Sequence, residues 1–163
     1  MPEIYMPVKI PDTKMLNQLG PQGGPMYLLQ KDFQFLINNI NFVVPNGFVF
    51  DQASTPRWLW SAFPPAHPDY VAASLLHDLG YAGELWPRKF MDQLFLGVLI
   101  ANGVKRCKRN LMYWGVRVGG GVTYKEHTIK RIKEVRSLLG VDFNGVVTRP
   151  LWPAGFIPGF PMK

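Results

Sequence analysis

Residues 68–101 read PDYVAASLLHDLGYAGELWPRKFMDQLFLGVLIA, and the period of their apolar residues is that of two successive helices. Ala72, Leu75, Leu76 and Leu79 share one helix face, with Asp69 placed to cap its start and Gly80 or Gly83 to end it. A second helix follows Pro87, a residue suited to the first helical position because no N–H is needed there. Phe90, Met91, Leu94, Phe95, Val98 and Leu99 cover almost half of its surface, so it is expected at the centre of the core, closed by Gly103.

Upstream the period changes to alternation. Phe33, Phe35 and Ile37, then Ile40, Phe42 and Val44, flank Asn38-Asn39 as a hairpin, and Pro45-Asn46-Gly47 reverses the chain again before Phe48 and Phe50. A three-stranded antiparallel meander over about 27–51 is expected. Residues 51–68, with Pro56, Pro64, Pro65 and Pro68, read as ordered loop. Downstream, a third helix is predicted from Lys108 to Val118, ended by Gly119-Gly120-Gly121. A fourth is capped by Thr123, buries Ile129, Ile132, Val135, Leu138 and Leu139, and stops at Gly140. Proline and glycine are dense in 1–26 and again in 141–163, which reads each as an arm or edge segment around a core of 27–140. The expected fold class is α+β: one domain over 1–163, a small antiparallel meander followed by about four helices.

A chain of 163 residues with 47% apolar and 18% charged residues suits one compact domain and excludes collagen, a coiled coil or a bulk disordered tail. The single Cys107 allows no internal disulfide, no signal peptide is evident, and the best apolar window, Leu94 to Ala101, is far below the roughly 20 residues that span a bilayer. Cytosolic synthesis and no membrane span are therefore expected. The net charge of +7 is local: between 101 and 136 ten Lys and Arg stand against Glu126 and Glu134. With Tyr113, Trp114 and Tyr124 interleaved, region 105–136 suits a nucleic-acid or acidic-protein partner, or is simply a solvated face.

Ionisable residues interrupt the apolar segments at a few points. His77 and Tyr81 are four apart on one helix face, Asp78 points about 100° away, and Asp92 sits beside Met91 and Phe95 four residues after Arg88. Asp51 ends an aromatic strand and is followed closely by Arg57. A carboxylate against apolar surface is costly unless paired, hydrogen-bonded or bound to a cation. If the helices cross the sheet, Asp51, His77, Asp78 and Asp92 converge, a donor set that suits Zn²⁺, Mn²⁺ or Fe²⁺ with positions left for water. His77 or Asp78 would then carry protons, and Arg57 or Arg88 would hold an anionic substrate group. The same residues also suit a purely structural polar network. His67 reads as a loop residue, His127 as solvated, and Ser54 and Cys107 lack catalytic partners.

VPNGFVFDQASTPRWLW (44–60), HDLGY (77–81), WPRKFMDQLFLGVLIANGV (86–104) and LMYWGVRVGG (111–120) together resemble the small bacteriophage and prophage family named domain of unknown function 1353. That family shows a VPxGFxTDxASxPR block, an HDxLY helix end, an R-x-x-x-D helix and a Y-x-x-V-R segment. The resemblance spans roughly 43–119. Its matching positions include Gly47, Phe48, Asp51, Ala53, Ser54, Pro56, Arg57, His77, Asp78, Tyr81, Arg88, Asp92, Tyr113 and Arg117. Phe50, Gln52 and Leu79-Gly80 depart from the pattern, and the ionisable positions do not. The resemblance implies a phage or prophage gene acting in the host cytoplasm or carried in the virion, with a shared Asp, His and Arg cluster, and supplies no reaction. Two functions are expected from these readings. One is a metal-dependent hydrolase built on Asp51, His77, Asp78 and Asp92. The other is a virion or assembly protein whose arms, 1–26 and 141–163, dock on neighbouring phage structural proteins.

Overall fold

The computed structural model describes residues 4–5, 10–20, 24–37, 40–51, 67–84, 86–125 and 129–139. Among the described residues six strands precede four helices: β1 (Ile4–Tyr5), β2 (Thr13–Leu19), β3 (Pro25–Leu29), β4 (Phe33–Ile37), β5 (Ile40–Val44), β6 (Val49–Phe50), α1 (Pro68–Gly83), α2 (Arg88–Ala101), α3 (Arg106–Lys125) and α4 (Ile129–Leu138). The strands are antiparallel and lie in two small sheets, β1-β4-β5 and β2-β3-β6, which makes the chain α+β.

The expected hairpin is present, with β4 and β5 in register from Phe33↔Val44 to Ile37↔Ile40. Its continuation as a single meander is not. Pro45 has no N–H to donate, Gly47 turns the chain at φ 85°, and Gly47 N and Leu29 N bond to Leu29 O and Phe48 O, so β6 runs beside β3 instead of β5. Asn46 is held in that turn by Asp32, whose Oδ1 accepts from both its backbone and side-chain nitrogens at 2.8 Å. Within the N-terminal stretch read as an arm or edge, the described residues include β1 and β2, and β2 is the outer strand of its sheet. The C-terminal arm, 141–163, and the 38–39 connection lie outside the described residues.

α1 begins one residue before the expected cap. His67 occupies the cap and its Nδ1 accepts from Asp69 N at 3.2 Å, with Pro68 at the first helical position and Asp69 in the first turn, where a carboxylate suits the positive helix end. Of the two glycines expected to end the helix, Gly83 is its last residue and Gly80 is not; the chain leaves at Glu84, which adopts the left-handed conformation at φ 46°. Gly80 instead lets α2 close in, since a Cβ there would land on Met91. Pro87 caps α2, which Gly103 closes at φ 72°. α3 is longer than expected and runs straight through Gly119-Gly120-Gly121, so Thr123 belongs to it and does not cap α4.

α1 lies at the centre. It packs on α2, α3, α4 and β6, and 13 of its 16 residues are buried. The core joins the two layers: Leu29, Phe35 and Phe48 from the sheets, Leu75, Leu76 and Leu79 from α1, Met91, Leu94 and Leu99 from α2 and Leu139 after α4 are all removed from water. Burying each such side chain contributes about 1.5–3 kcal/mol. None of the helices is long and apolar enough to cross a membrane, among the described residues.

Candidate functional site

The polar centre forms where α1, α2 and α3 meet beside the end of β6. α1 presents His77 and Tyr81 one turn apart, as their spacing requires, and their rings meet at a tilt of 36° with centroids 4.0 Å apart. Across from them stands Asp92 of α2, wholly buried. Its Oδ1 lies 3.1 Å from His77 Nε2 and accepts from the Tyr81 hydroxyl at 2.6 Å, while its Oδ2 accepts from Arg117 Nη1 of α3 at 2.6 Å. Burial alone would raise the Asp92 carboxyl, but the hydrogen bonds from His77, Tyr81 and Arg117 outweigh it and hold it below the ordinary carboxylate range. Tyr81 is correspondingly pushed up, first by burial and then by its bond to Asp92.

Because Asp92 accepts at Nε2, that nitrogen carries a proton and the other ring nitrogen is turned outward. Nδ1 of His77 faces Asp78 Oδ1 at 3.9 Å. Burial would lower the imidazole, yet the bonds and charges of Asp78 and Asp92 prevail and raise it above its ordinary value. Asp78 itself is raised well above the usual range, first by burial and then by the negative charge of Asp51 at the end of β6, with which it is in hydrogen-bonding reach. Beside that charge Asp78 keeps its proton more readily than an exposed carboxyl does. Asp78 Oδ2 is buried and has no hydrogen-bond partner among the described residues.

Four of the residues singled out in the sequence are thus brought together: Asp51, His77, Asp78 and Asp92. Arg88 is adjacent, but it donates to the Arg117 carbonyl at 3.1 Å, and the cation on Asp92 is Arg117. Arg57 lies outside the described residues, as do Ser54 and His127. His67 is the α1 cap, stacked on Tyr70, and Cys107 is exposed. Tyr81 and Arg117 complete the centre without having been singled out as site residues. The available signals were the spacing of Tyr81 from His77 and the position of Arg117 as the lone charge in a run, 110–124, otherwise apolar, polar or glycine. Among the described residues, no three His, Cys, Asp or Glu side chains are arranged to hold a metal ion.

The sequence profile of the family described as "Protein of unknown function (DUF1353)" matches residues 27–116, which include every described member of the polar centre except Arg117. The chain belongs to that family. No curated protein and no solved structure was found to match it.

Proposed function

We propose, from that membership and from the orphaned Asp78 oxygen, that the protein is a hydrolase whose reactive edge is Asp78, Asp51 and His77. The observation that carries this reading is one carboxyl oxygen, Asp78 Oδ2, buried with no hydrogen-bond partner among the described residues, on a side chain set between an imidazole and a second carboxyl. A group left unsatisfied at such a cost is more readily understood as one that meets a substrate than as a structural tie. In this reading Asp92 positions: Tyr81, Arg117 and Nε2 of His77 fill its two oxygens, and it fixes the imidazole tautomer. The charged member of the carboxyl pair takes a proton from the attacking water. The neutral member protonates the leaving oxygen or nitrogen as its bond breaks. An ester, phosphoester or amide of a host polymer fits this chemistry, and the setting we infer is a bacteriophage or prophage. A divalent cation (Zn²⁺, Mn²⁺ or Fe²⁺) is the other form of this proposal: Asp51, Asp78 and Nδ1 of His77 are not arranged to hold an ion as they stand, so binding would have to draw them together, and the ion would then acidify bound water.

The test is turnover of chromogenic carboxylic esters, phosphomonoesters and phosphodiesters, and of bacterial peptidoglycan, with chelator and with each metal. Wild type is expected to turn over one class, and Asp78→Asn and His77→Gln are expected to reduce that rate at least about a hundredfold. Equal rates in folded variants, or no turnover of any class, would refute the proposal. A metal requirement that disappears with Asp78→Asn would assign the cation form. An assembly role is favoured by a separate observation, the apolar outer face of α3.

A further inference from the structure

α3 carries an apolar ridge that nothing among the described residues covers. Leu111, Trp114 and Val118 stand at positions i, i+3 and i+7, and are 58%, 63% and 82% exposed. The other outward positions nearby are Cys107, Asn110, Gly115 and Gly119, so the outer face bears no charge from 107 to 119. At Gly115 and Gly119 an added Cβ would meet nothing within 4 Å, which leaves the helix backbone itself open to close approach beside the ridge.

The charge that α3 carries has one sign. α3 contains Arg106, Lys108, Arg109, Arg117 and Lys125 and no acidic residue. Three of these cations fall in its first turn, where the aligned backbone dipoles already present positive charge and acids are ordinarily favoured. Arg117 is neutralised by Asp92. Of the first-turn cations, Lys108 lies over the Tyr70 ring and Arg109 donates to the Val104 carbonyl, while Arg106, with Lys105 just before it, is exposed at the start of the ridge.

We propose that the outer face of α3 docks an acidic amphipathic helix of a partner protein, its apolar side on Leu111, Trp114 and Val118 and its carboxylates over the basic first turn. A protein helix fits better than the other occupants. Two copies of α3 packed on each other would pair two helices that contain five cations and no acid, so the cations of neither would find a counter-charge. Nucleic acid would meet an uncharged centre where phosphates need cations. A fluid bilayer gains nothing from two open glycines, which serve a rigid surface that can interlock with them. Trp at the centre with a charged rim is also the ordinary anatomy of a protein interface.

The experiment uses the full chain carrying an environment-sensitive fluorophore on Cys107, its sole cysteine, one turn before Leu111. The probe is a helical peptide of about 20 residues with Leu and Ala on one face and Glu along both flanks. Calorimetry on unlabelled protein provides the same isotherm without the dye. Saturable binding is expected, weakened roughly tenfold by Trp114→Ala and again by Gly115→Leu, and reduced by salt. Both variants alter exposed positions, and circular dichroism verifies their fold. A peptide with every Glu replaced by Lys is expected not to bind. Asp78→Asn is expected to bind as wild type does, so loss of hydrolysis and loss of docking are separately read. The proposal is overturned by no saturable binding, by equal binding of the Lys peptide, or by wild-type affinity in both α3 variants. A response only to phosphatidylglycerol vesicles or to a DNA duplex, or self-association of the chain in sedimentation without peptide, overturns it as well.

Discussion

A carboxylate removed wholly from water keeps its charge only where donors replace the water, and Asp92 has donors on both oxygens. Asp92→Asn leaves Arg117 without its anion and is expected to cost about 3 kcal/mol in urea unfolding at neutral pH. The folded pKa of Asp92 lies below its unfolded value. Its contribution is therefore present above the ordinary 3.8 and is lost as pH falls through the lower folded value, so the deficit of the variant should shrink in acid. Asp78 has the opposite sign: its folded pKa is raised, so ionising it disfavours the native state as pH rises past 3.8. Asp78→Asn should consequently be more stable than wild type at pH 8, by on the order of 1 kcal/mol, and equal to it at pH 3. His77, raised above 6.5, stabilises below that pH and loses the contribution as pH climbs through its folded pKa. Proton NMR should place its titration above 6.5 in wild type and lower in Asp92→Asn. Much of this was legible residue by residue, because His77 and Tyr81 share a face by spacing alone. The Arg117 to Asp92 pair was not, since its members are 25 residues apart on two different helices.

Glycine misleads at the level of the element when it is read only as punctuation. Gly83, one of the two glycines expected to end α1, does end it, but Gly80, the other, and Gly120 lie inside helices, each where a neighbouring side chain takes the space of a Cβ. A Cβ on Gly120 would lie 2.7 Å from the Tyr81 hydroxyl, and one on Gly80 would lie 3.0 Å from Met91 Cγ and closer still to the rest of that buried side chain. Gly80→Ala is expected to destabilise by about 1–3 kcal/mol despite the better helix propensity of alanine. Gly120→Ala should act differently, displacing Tyr81 from Asp92 and lowering any turnover more than it lowers the melting temperature. The alternation of Phe33 to Phe50 correctly marked strands. Pairing partners were beyond its reach, because alternation sets which face a residue takes and says nothing of which strand lies beside it.

For the whole molecule, the order of strands then helices and the buried apolar set followed from the sequence pattern, since both depend on local period. The convergence of Asp51 with Asp78 depended on how the second sheet, through β6, meets α1, a contact between elements with no local signature. Native-state hydrogen exchange should rank the molecule accordingly, with α1 amides slowest and those of the outer strand β2 among the fastest. An α1 that exchanges as readily as β2 would contradict the central placement of that helix. Its enclosure has a consequence for the chain as it leaves the ribosome. Every strand and α1 itself are made before α2, α3 and α4, the helices that cover it, so the nascent polypeptide exposes Leu75, Leu76 and Leu79 until translation has passed residue 139. Holdase chaperones should engage that interval, and a stalled nascent chain ending near residue 86 should be their best client.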